Sequence, residues 1–398
     1  MRPLPILFLT LLLDTISVGI LFPLLPSLFT DANSVHFVLQ GYSVHSQYFI
    51  AGAITAVFGL MQFLAAPVLG ELSDIYGRKR LLTLGVVVLA GANLLFGVGI
   101  SIASLTLLFV SRILAGLAGA NFSIAQATIA DVSKPEERAK NFGLIGAAFG
   151  IGFILGPLLG GYIATLTDSL AAPFWFAGGL GVLNVIFISV FLPETRKVSE
   201  RTQTSFTLFK GFHNIRAALK DKEAKPVYMA SFFYMCGFAF FTSFIGILLT
   251  VRYGFSEANI GTFFGVVGVC IVITQVVILP RVVKHYSEKQ ILIAGFPIVA
   301  TCLFLYPFMP HTALLYALVI LMSVPQGLSF ANISSLVSRS VPANKQGAAL
   351  GINGSLMALA QGIIPLIAGV GSAFIGLTAP FLAGSLLILV AWWIIWKH

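Results

Sequence analysis

The chain has 398 residues, of which 58% are hydrophobic and 9% are charged. Soluble domains carry about 25% charged residues, so this composition excludes a water-soluble fold and indicates an integral membrane protein. The formal charge of +9 does not indicate nucleic-acid binding, because the basic residues form short clusters between apolar runs instead of covering one soluble face.

Apolar runs long enough to cross a bilayer recur along the whole chain. A membrane helix needs about 20 mostly apolar residues. By this length criterion, the sequence predicts twelve spans. They lie at 5–29, 46–71, 81–100, 104–131, 140–165, 172–193, 226–252, 257–280, 290–309, 312–338, 346–371 and 375–396. The first run lacks a small-residue cleavage site, so we interpret it as a retained span. The polar stretch 194–225 is predicted to link an N-terminal half, 1–193, to a C-terminal half, 226–398.

Basic residues segregate to one side of this topology. When both termini are placed on the same side, only Arg112 and Arg252 fall elsewhere. The clusters on that side are Arg78, Lys79 and Arg80; Lys134, Arg138 and Lys140; Arg196, Lys197, Arg201, Lys210, Arg216, Lys220 and Lys222 of the linker; Arg281, Lys284 and Lys289; and Arg339 and Lys345. The positive-inside rule makes this side cytoplasmic.

The first predicted span contains Asp14, the only carboxylate well inside any predicted span. Apolar surroundings disfavour the charged form of a carboxyl group. Asp14 is therefore a candidate for a group that takes up and releases protons during transport. The alternative is a fixed structural ion pair, since buried carboxylates in membranes often bind a packing partner.

The loop after the second span reads Gly-Glu-Leu-Ser-Asp-Ile-Tyr-Gly-Arg-Lys-Arg, from Gly70 to Arg80. Glycine permits a tight turn, and Asp74 beside a basic cluster can form charge-assisted bonds between helices. The pattern, with Gly70, Asp74, Gly77 and Arg78, resembles the signature loop of the major facilitator superfamily. The resemblance implies an all-α membrane fold of about twelve helices in two pseudo-symmetric halves. A plain positive-inside anchor is the alternative.

The fourth predicted span carries Arg112 and, four residues later, Gly116. This spacing resembles the Arg-x-x-x-Gly motif of the same superfamily, which implies a role for Arg112 in proton coupling together with Asp14. The alternative is that Arg112 extends to the outer interface. Asp131 ends this span and Arg339 ends the tenth. We predict that these two residues form a cytoplasmic gate with Asp74 and Arg78 of the signature-like loop.

The fifth predicted span contains Gly152, Gly156, Pro157, Gly160 and Gly161. Glycines four residues apart share one helical face and let a neighbouring backbone approach closely, and proline adds a bend by removing a hydrogen bond. Generic helix packing explains the small residues alone. The complete block resembles the motif of the antiporter branch of the superfamily, and this favours export over import.

The two halves repeat each other. At an offset of 208, Gly119, Gly143, Gly146, Pro157 and Gly161 correspond to Gly327, Gly351, Gly354, Pro365 and Gly369. Parallel six-helix repeats are a known transporter design. The loop after the eighth span aligns at an offset of 210 and has Lys284 where the first half has Asp74. The locking acid is therefore predicted only in the first half.

Nearly the whole chain resembles the tetracycline-exporter and multidrug group. Where tetracycline exporters carry further acids and a histidine, this chain has Asn93, Val299 and Ile271, which argues against tetracycline as the substrate. Polar or aromatic side chains on the spans that line the cavity of the resembled fold are the candidate substrate contacts, namely Asn121, Gln126, Tyr234, Asn332 and Gln361.

These features predict a secondary transporter that exports small organic molecules in exchange for protons, working as a monomer in a bacterial inner membrane. The alternative is a proton-coupled or facilitative importer of a sugar, organic acid or siderophore. A membrane enzyme or a receptor is disfavoured, because no span carries a catalytic set. Cys236, Cys270 and Cys302 lie inside predicted spans without CxxC spacing, so we expect neither a metal nor a cofactor.

Overall fold

The computed structural model describes residues 3–133, 138–195, 209–342 and 345–398. Lys134 and residues 196–208 of the predicted linker lie outside the described residues. Twelve spans are long and apolar enough to cross a membrane, and the described part of the chain contains helices but no strand. The prediction of an all-α membrane fold is therefore confirmed.

Each span consists of one helix or of two or three consecutive helical segments. Span 1 is α1 (Pro3–Gly19) with α2 (Leu21–Phe29), span 2 is α3 (Val44–Tyr76), span 3 is α4 (Arg78–Ser101), span 4 is α5 (Leu105–Ala118) with α6 (Asn121–Val132), span 5 is α7 (Arg138–Thr167) and span 6 is α8 (Ala172–Phe191). After α9 (Lys210–Lys220), span 7 is α10 (Lys225–Tyr253), span 8 is α11 (Glu257–Ile273) with a π-helical turn (Thr274–Ile278) and α12 (Leu279–Val282), span 9 is α13 (Glu288–Leu305) with a 3-10 turn (Tyr306–Phe308), span 10 is α14 (Thr312–Arg339), span 11 is α15 (Gln346–Phe374) and span 12 is α16 (Ala379–Lys397).

Two spans of the first half are interrupted near their middle. Ile20 separates α1 from α2, because Pro23 lacks the N–H that would donate to the carbonyl of Gly19. In span 4, Gly119 and Ala120 separate α5 from α6, so that Asn121 is the first residue of α6. The breaks place Asp14 shortly before one interruption and Asn121 directly after the other.

The predicted end of span 2, at residue 71, is too early. Helix α3 continues to Tyr76, because Glu71 and Asp74 are compatible with a helix that extends beyond the apolar region. Gly77 then ends it with φ 102° and ψ 144°, a conformation that only glycine adopts without strain. Hydropathy locates the apolar part of the helix, whereas the backbone of Gly77 determines its actual end.

The two halves contact each other through span 2 against span 11 and span 5 against span 8. A Cβ atom on Gly52 would lie 2.3 Å from the carbonyl oxygen of Pro365, and one on Gly261 would lie 2.6 Å from that of Pro157. These contacts are equivalent under the internal repeat, at offsets of 209 and 208. Both seams therefore bring backbones into direct contact, as small residues permit between membrane helices.

We call the end of the bundle that holds the loops after spans 2, 4, 6, 8 and 10 the basic end, and the other the opposite end. At the opposite end, span 1 contacts span 8 across the two halves. The Ser27 hydroxyl donates to the Glu257 carboxylate at 2.5 Å, and the rings of Phe22 and Phe264 stack with centroids 5.4 Å apart. The opposite end is thus closed by polar and aromatic contacts.

Helix α9 lies across the seam between spans 2 and 11 at the basic end. Lys210 forms an ion pair with Glu71 of span 2, and the Asn214 amide donates to the Ser355 hydroxyl of span 11 at 2.9 Å. The ring of Phe212 meets that of Phe63 edge-on. The described part of the predicted linker therefore contributes a helix that binds both halves.

Candidate functional site

Asp14 lies in the middle of span 1 and binds a neutral partner. Its Oδ2 accepts a hydrogen bond from Nδ2 of Asn121 at 2.9 Å. Asp14 is half-buried as a residue, and its carboxyl group forms no ion pair with any Lys, Arg or His among the described residues. Asp14 can therefore gain or lose a proton without breaking a salt bridge, in contrast to a fixed structural ion pair.

Asn121 is held against span 3 by the absence of a side chain at Gly85. A Cβ atom on Gly85 would lie 1.8 Å from Oδ1 of Asn121, and Asn121 is only 1% exposed. The amide fits only because position 85 is glycine, and this fit directs Nδ2 towards Asp14. Sequence reasoning missed Gly85, since one glycine among 39 carries no signal of what it faces.

Arg112 occupies an aromatic pocket instead of joining Asp14. Its guanidinium carbon lies 4.3 Å from the ring centroid of Phe96 and 5.9 Å from that of Phe174. Nine residues separate it from Asn121, which is roughly 13 Å along a helix at 1.5 Å per residue. The guanidinium is buried, with Nε and Nη2 lacking hydrogen-bond partners in the described part of the chain. Cation–π attraction compensates part of this burial.

The remaining candidate cavity residues divide into two groups. Tyr234 is fully buried; its hydroxyl donates to Oε1 of Gln326, and its ring stacks on Phe296 with centroids 4.5 Å apart. Asn332 is also buried, and its amide donates to the carbonyl of Leu328 at 2.7 Å. These two side chains are engaged within the C-terminal half.

Gln126 and Gln361 keep more of their surface accessible. Gln126 is partly exposed and Gln361 is exposed. The backbone of Gln361 packs so closely on span 2 that a Cβ atom on Gly59 would lie 2.5 Å from its carbonyl carbon. Of the five candidate cavity residues, these two therefore retain side-chain surface that a ligand can contact.

Three of the four predicted gate residues meet at the basic end of the first half. The Arg78 guanidinium lies 2.5 Å from Asp74 and 3.0 Å from Asp131, and it also donates to the Ser73 hydroxyl at 2.5 Å. The Ser73 hydroxyl in turn donates to the carbonyl of Gly70 at 2.6 Å. Arg78 therefore connects the end of span 2, the start of span 3 and the end of span 4.

Arg339, the fourth predicted gate residue, belongs to a separate cluster in the second half. It lies 3.2 Å from Glu288 at the start of span 9, and Glu288 also accepts from the Ser335 hydroxyl at 3.0 Å. The structure therefore shows two clusters, one in each half, in place of a single four-residue contact.

The glycine block of span 5 faces span 1 along one side. Cβ atoms added to Gly152, Gly156 and Gly160 would lie 2.6 Å from Cβ of Thr15, 2.8 Å from Cα of Gly19 and 2.7 Å from the carbonyl oxygen of Ile20, respectively. These glycines let span 5 touch the segment that carries Asp14 and the break at Ile20.

The same block also reaches the second half. A Cβ atom on Gly161 would lie 2.2 Å from the carbonyl oxygen of Glu257, and the carbonyl of Pro157 faces Gly261. The motif is thus a junction of spans 1, 5 and 8, next to the Ser27–Glu257 contact that closes the opposite end.

Gly161→Ala is expected to open the opposite end, because the added methyl group collides with the backbone of Glu257 and overpacking costs about 1–3 kcal/mol. Spin labels on Ser46→Cys and His311→Cys, in a background whose native cysteines are replaced, report the distance between the halves at that end. This distance is expected to increase. The matched control is Gly146→Ala on the same helix, where a Cβ atom meets nothing within 4 Å; an unchanged distance in Gly161→Ala contradicts the prediction.

Comparisons with known proteins agree with this architecture. The sequence model of the Major Facilitator Superfamily matches residues 7–365. The class C tetracycline resistance protein of Escherichia coli is 31% identical over 90% of this chain and 86% of its own length. Multidrug resistance protein 1 of Bacillus subtilis is 28% identical over 92% of this chain and 88% of its own length.

The fold is shared with a solved human structure as well. The organic anion transporter MFSD10 superposes with a TM-score of 0.76 at 24% identity, covering 99% of both chains. At this identity the likeness supports the fold alone. The family consists of transporters and not of enzymes, which agrees with the transport class expected from the sequence. The family match spans most of the chain, and this chain therefore belongs to the Major Facilitator Superfamily.

Proposed function

We propose that the protein exports small organic molecules in exchange for protons by alternating access. The observation that carries this proposal is the environment of Asp14, a half-buried residue in the middle of span 1 whose carboxyl group has the neutral Asn121 amide as its described hydrogen-bond partner. A carboxyl group held by an amide can change its protonation state during a cycle. The glycine junction beside it offers a route from this residue to the contact between the halves.

The cycle follows from which end is closed. The contacts of Ser27 and Phe22 with span 8 join the core spans of the two halves at the opposite end. At the basic end the two charge clusters each stay within one half, and helix α9 bridges spans 2 and 11 at the surface. We infer a state that receives substrate from the basic end. Rocking of the halves about the seams then exposes Asp14 and the substrate to the opposite end, where protonation accompanies release.

The energy available to such an exchange is sufficient for export. One proton that moves down a 100 mV potential supplies about 2.3 kcal/mol, and this corresponds to a concentration ratio of about fiftyfold. The relatives named for tetracycline and multidrug resistance support a drug-like or metabolite substrate. Asn93, Val299 and Ile271 stand where the tetracycline group carries ionisable residues, so the proposed cargo is not tetracycline itself.

The proposed location is a bacterial inner membrane, with the basic end and both termini on the cytoplasmic side. The support is the clustering of lysine and arginine in the loops of that end. Proton uptake at the opposite end then follows the proton gradient that bacteria maintain, and this is the direction that energises export.

The test is exchange in proteoliposomes. A panel of drug-like compounds and metabolites is first screened for thermal stabilisation of the purified protein, because a ligand of the native state raises stability by mass action. Each hit is then loaded into liposomes, and a pH gradient is applied in either direction. Efflux driven by inward proton flow supports the proposal, whereas uptake that follows the proton identifies an importer and overturns it.

A further inference from the structure

A recess opens at the basic end of the second half, apart from the Asp14 site. Its volume is about 770 Å³, within the range of roughly 300–1,000 Å³ that ligand pockets occupy. The end of span 8 forms one wall, the last two turns of span 10 form the other, and the first residues of span 9 lie between them. The recess is therefore a built concavity at the level where lipid headgroups meet a membrane protein.

The charges around the recess favour an anion. Lys284, His285 and Arg339 line it, and Glu288 is the one acid among the described residues that line it. Glu288 is already engaged by Arg339 and by the Ser335 hydroxyl. Lys284 forms no ion pair among the described residues, and the Arg339 side chain is 72% exposed. Hydrogen-bond donors with positive charge thus remain available in the recess.

The internal repeat explains why the second half has this recess. At offsets of 210, 210 and 208, Lys284, Glu288 and Arg339 correspond to Asp74, Arg78 and Asp131 of the first half. Each charge is inverted. In the first half the long Arg78 side chain fills the space between two acids and is only 6% exposed. In the second half the central residue is the shorter glutamate, so the two outer cations extend towards solvent and the space between the spans stays open.

The surface beside the recess is apolar. Val283, which lines the recess directly after span 8, is exposed, and so are Val276 and Val277 in the π-helical turn of that span. A free anion gains nothing from this surface, because it has no apolar part to bury. An amphiphile with an anionic head and acyl chains fits both the recess and the flank.

We propose that this recess binds the phosphate-bearing headgroup of an acidic phospholipid, with Lys284 and Arg339 as its cationic contacts and the exposed valines of span 8 against its acyl chains. Basic pockets between membrane helices are a known form of lipid recognition. The bound lipid lies against span 10 and the start of span 9, and its phosphate shares Arg339 with Glu288.

The experiment uses the full-length protein in nanodiscs of phosphatidylcholine that contain increasing fractions of phosphatidylglycerol. Native mass spectrometry counts the retained acidic lipids. Wild type is expected to retain one tightly bound phosphatidylglycerol. Lys284→Gln and Arg339→Gln are each expected to weaken this binding about fivefold. Glu288→Gln is expected to strengthen it, because the variant removes a negative charge that lines the recess.

Lys397→Gln is the matched control, since it removes one positive charge at the same end of the bundle but outside the recess. Equal weakening in this control indicates general surface attraction and overturns the proposal. Full displacement of the lipid by inorganic phosphate shows that the site takes a free anion, and this overturns it too. Melting temperatures measured in pure phosphatidylcholine verify that each variant is folded, and Lys284→Gln, at an exposed position without an ion pair, serves as the test if Arg339→Gln unfolds.

Discussion

Asp14→Asn is expected to abolish substrate accumulation driven by a pH gradient, while exchange of substrate against substrate continues. Asparagine keeps the size and the hydrogen-bonding capacity of the side chain towards Asn121 but cannot bind or release a proton. The halves of the variant can still rock around a bound cargo, so only the coupling is lost. The measurement is transport of the best-stabilising ligand in proteoliposomes, with and without a pH gradient.

The expected accumulation ratio of this variant is about one, against the severalfold to fiftyfold ratio that one proton can support in the wild type. Asp168→Asn is the matched control, because it removes an exposed carboxyl in the loop after span 5 and should leave accumulation unchanged. If Asp14→Asn still drives uphill transport at the full rate, Asp14 is not the proton carrier and the energised part of the proposed function fails.

Gly85→Ala is expected to shift the pH profile of transport by displacing the Asn121 amide that binds Asp14. The added methyl group would lie 1.8 Å from Oδ1 of Asn121, and the buried amide must therefore move away. The hydrogen bond from Asn121 to Asp14 is then lost, and the pH profile of transport shifts because the carboxyl has lost a partner. Overpacking of this kind costs about 1–3 kcal/mol, so the melting temperature should fall as well.

Two further variants separate this positioning role from general damage. Gly91→Ala lies on the same helix, where a Cβ atom meets nothing within 4 Å, and it should affect neither the melting temperature nor the pH profile. Asn121→Ala combined with Gly85→Ala should recover stability, since a shorter side chain removes the collision. A coupling energy of about 0.5–3 kcal/mol is typical of residues in contact. Additive effects of the two changes would show that Gly85 does not position Asn121.

The sequence predicts the number of spans and the motifs because both rest on local signals. Apolar runs and their polar breaks reveal twelve spans without any knowledge of packing. The shared helical face of Gly152, Gly156 and Gly160 in span 5 can likewise be predicted, because it follows from their spacing alone. Which helices that face contacts is not encoded locally, and the structure shows spans 1 and 8.

The contact partners of residues on distant spans could be predicted from the sequence only in part. Arg112 and Asp14 were predicted to act together, but the structure places Arg112 on aromatic rings of spans 3 and 6, so their shared role stays a prediction. Arg339 was grouped with the Asp74–Arg78 loop because Arg339 and Asp131 end spans 10 and 4, which correspond to each other in the internal repeat. The pairing with Glu288 depends on how the start of span 9 approaches span 10, and local sequence patterns do not encode that approach.

The seams between the halves are built from backbone surfaces, and this has a consequence for the speed of the cycle. The seams are formed by Gly52 against Pro365 and by Gly261 against Pro157. Few side chains interdigitate there, so few must separate when one half rotates relative to the other. Relative movement of the halves along such a seam needs little change of side-chain rotamers, so the seam adds little to the energy barrier of the conformational change. The rate of turnover is then set by the contacts that join the halves at the two ends and by release of the substrate. Substitutions that speed up the cycle are therefore expected at these end contacts and not along the seams.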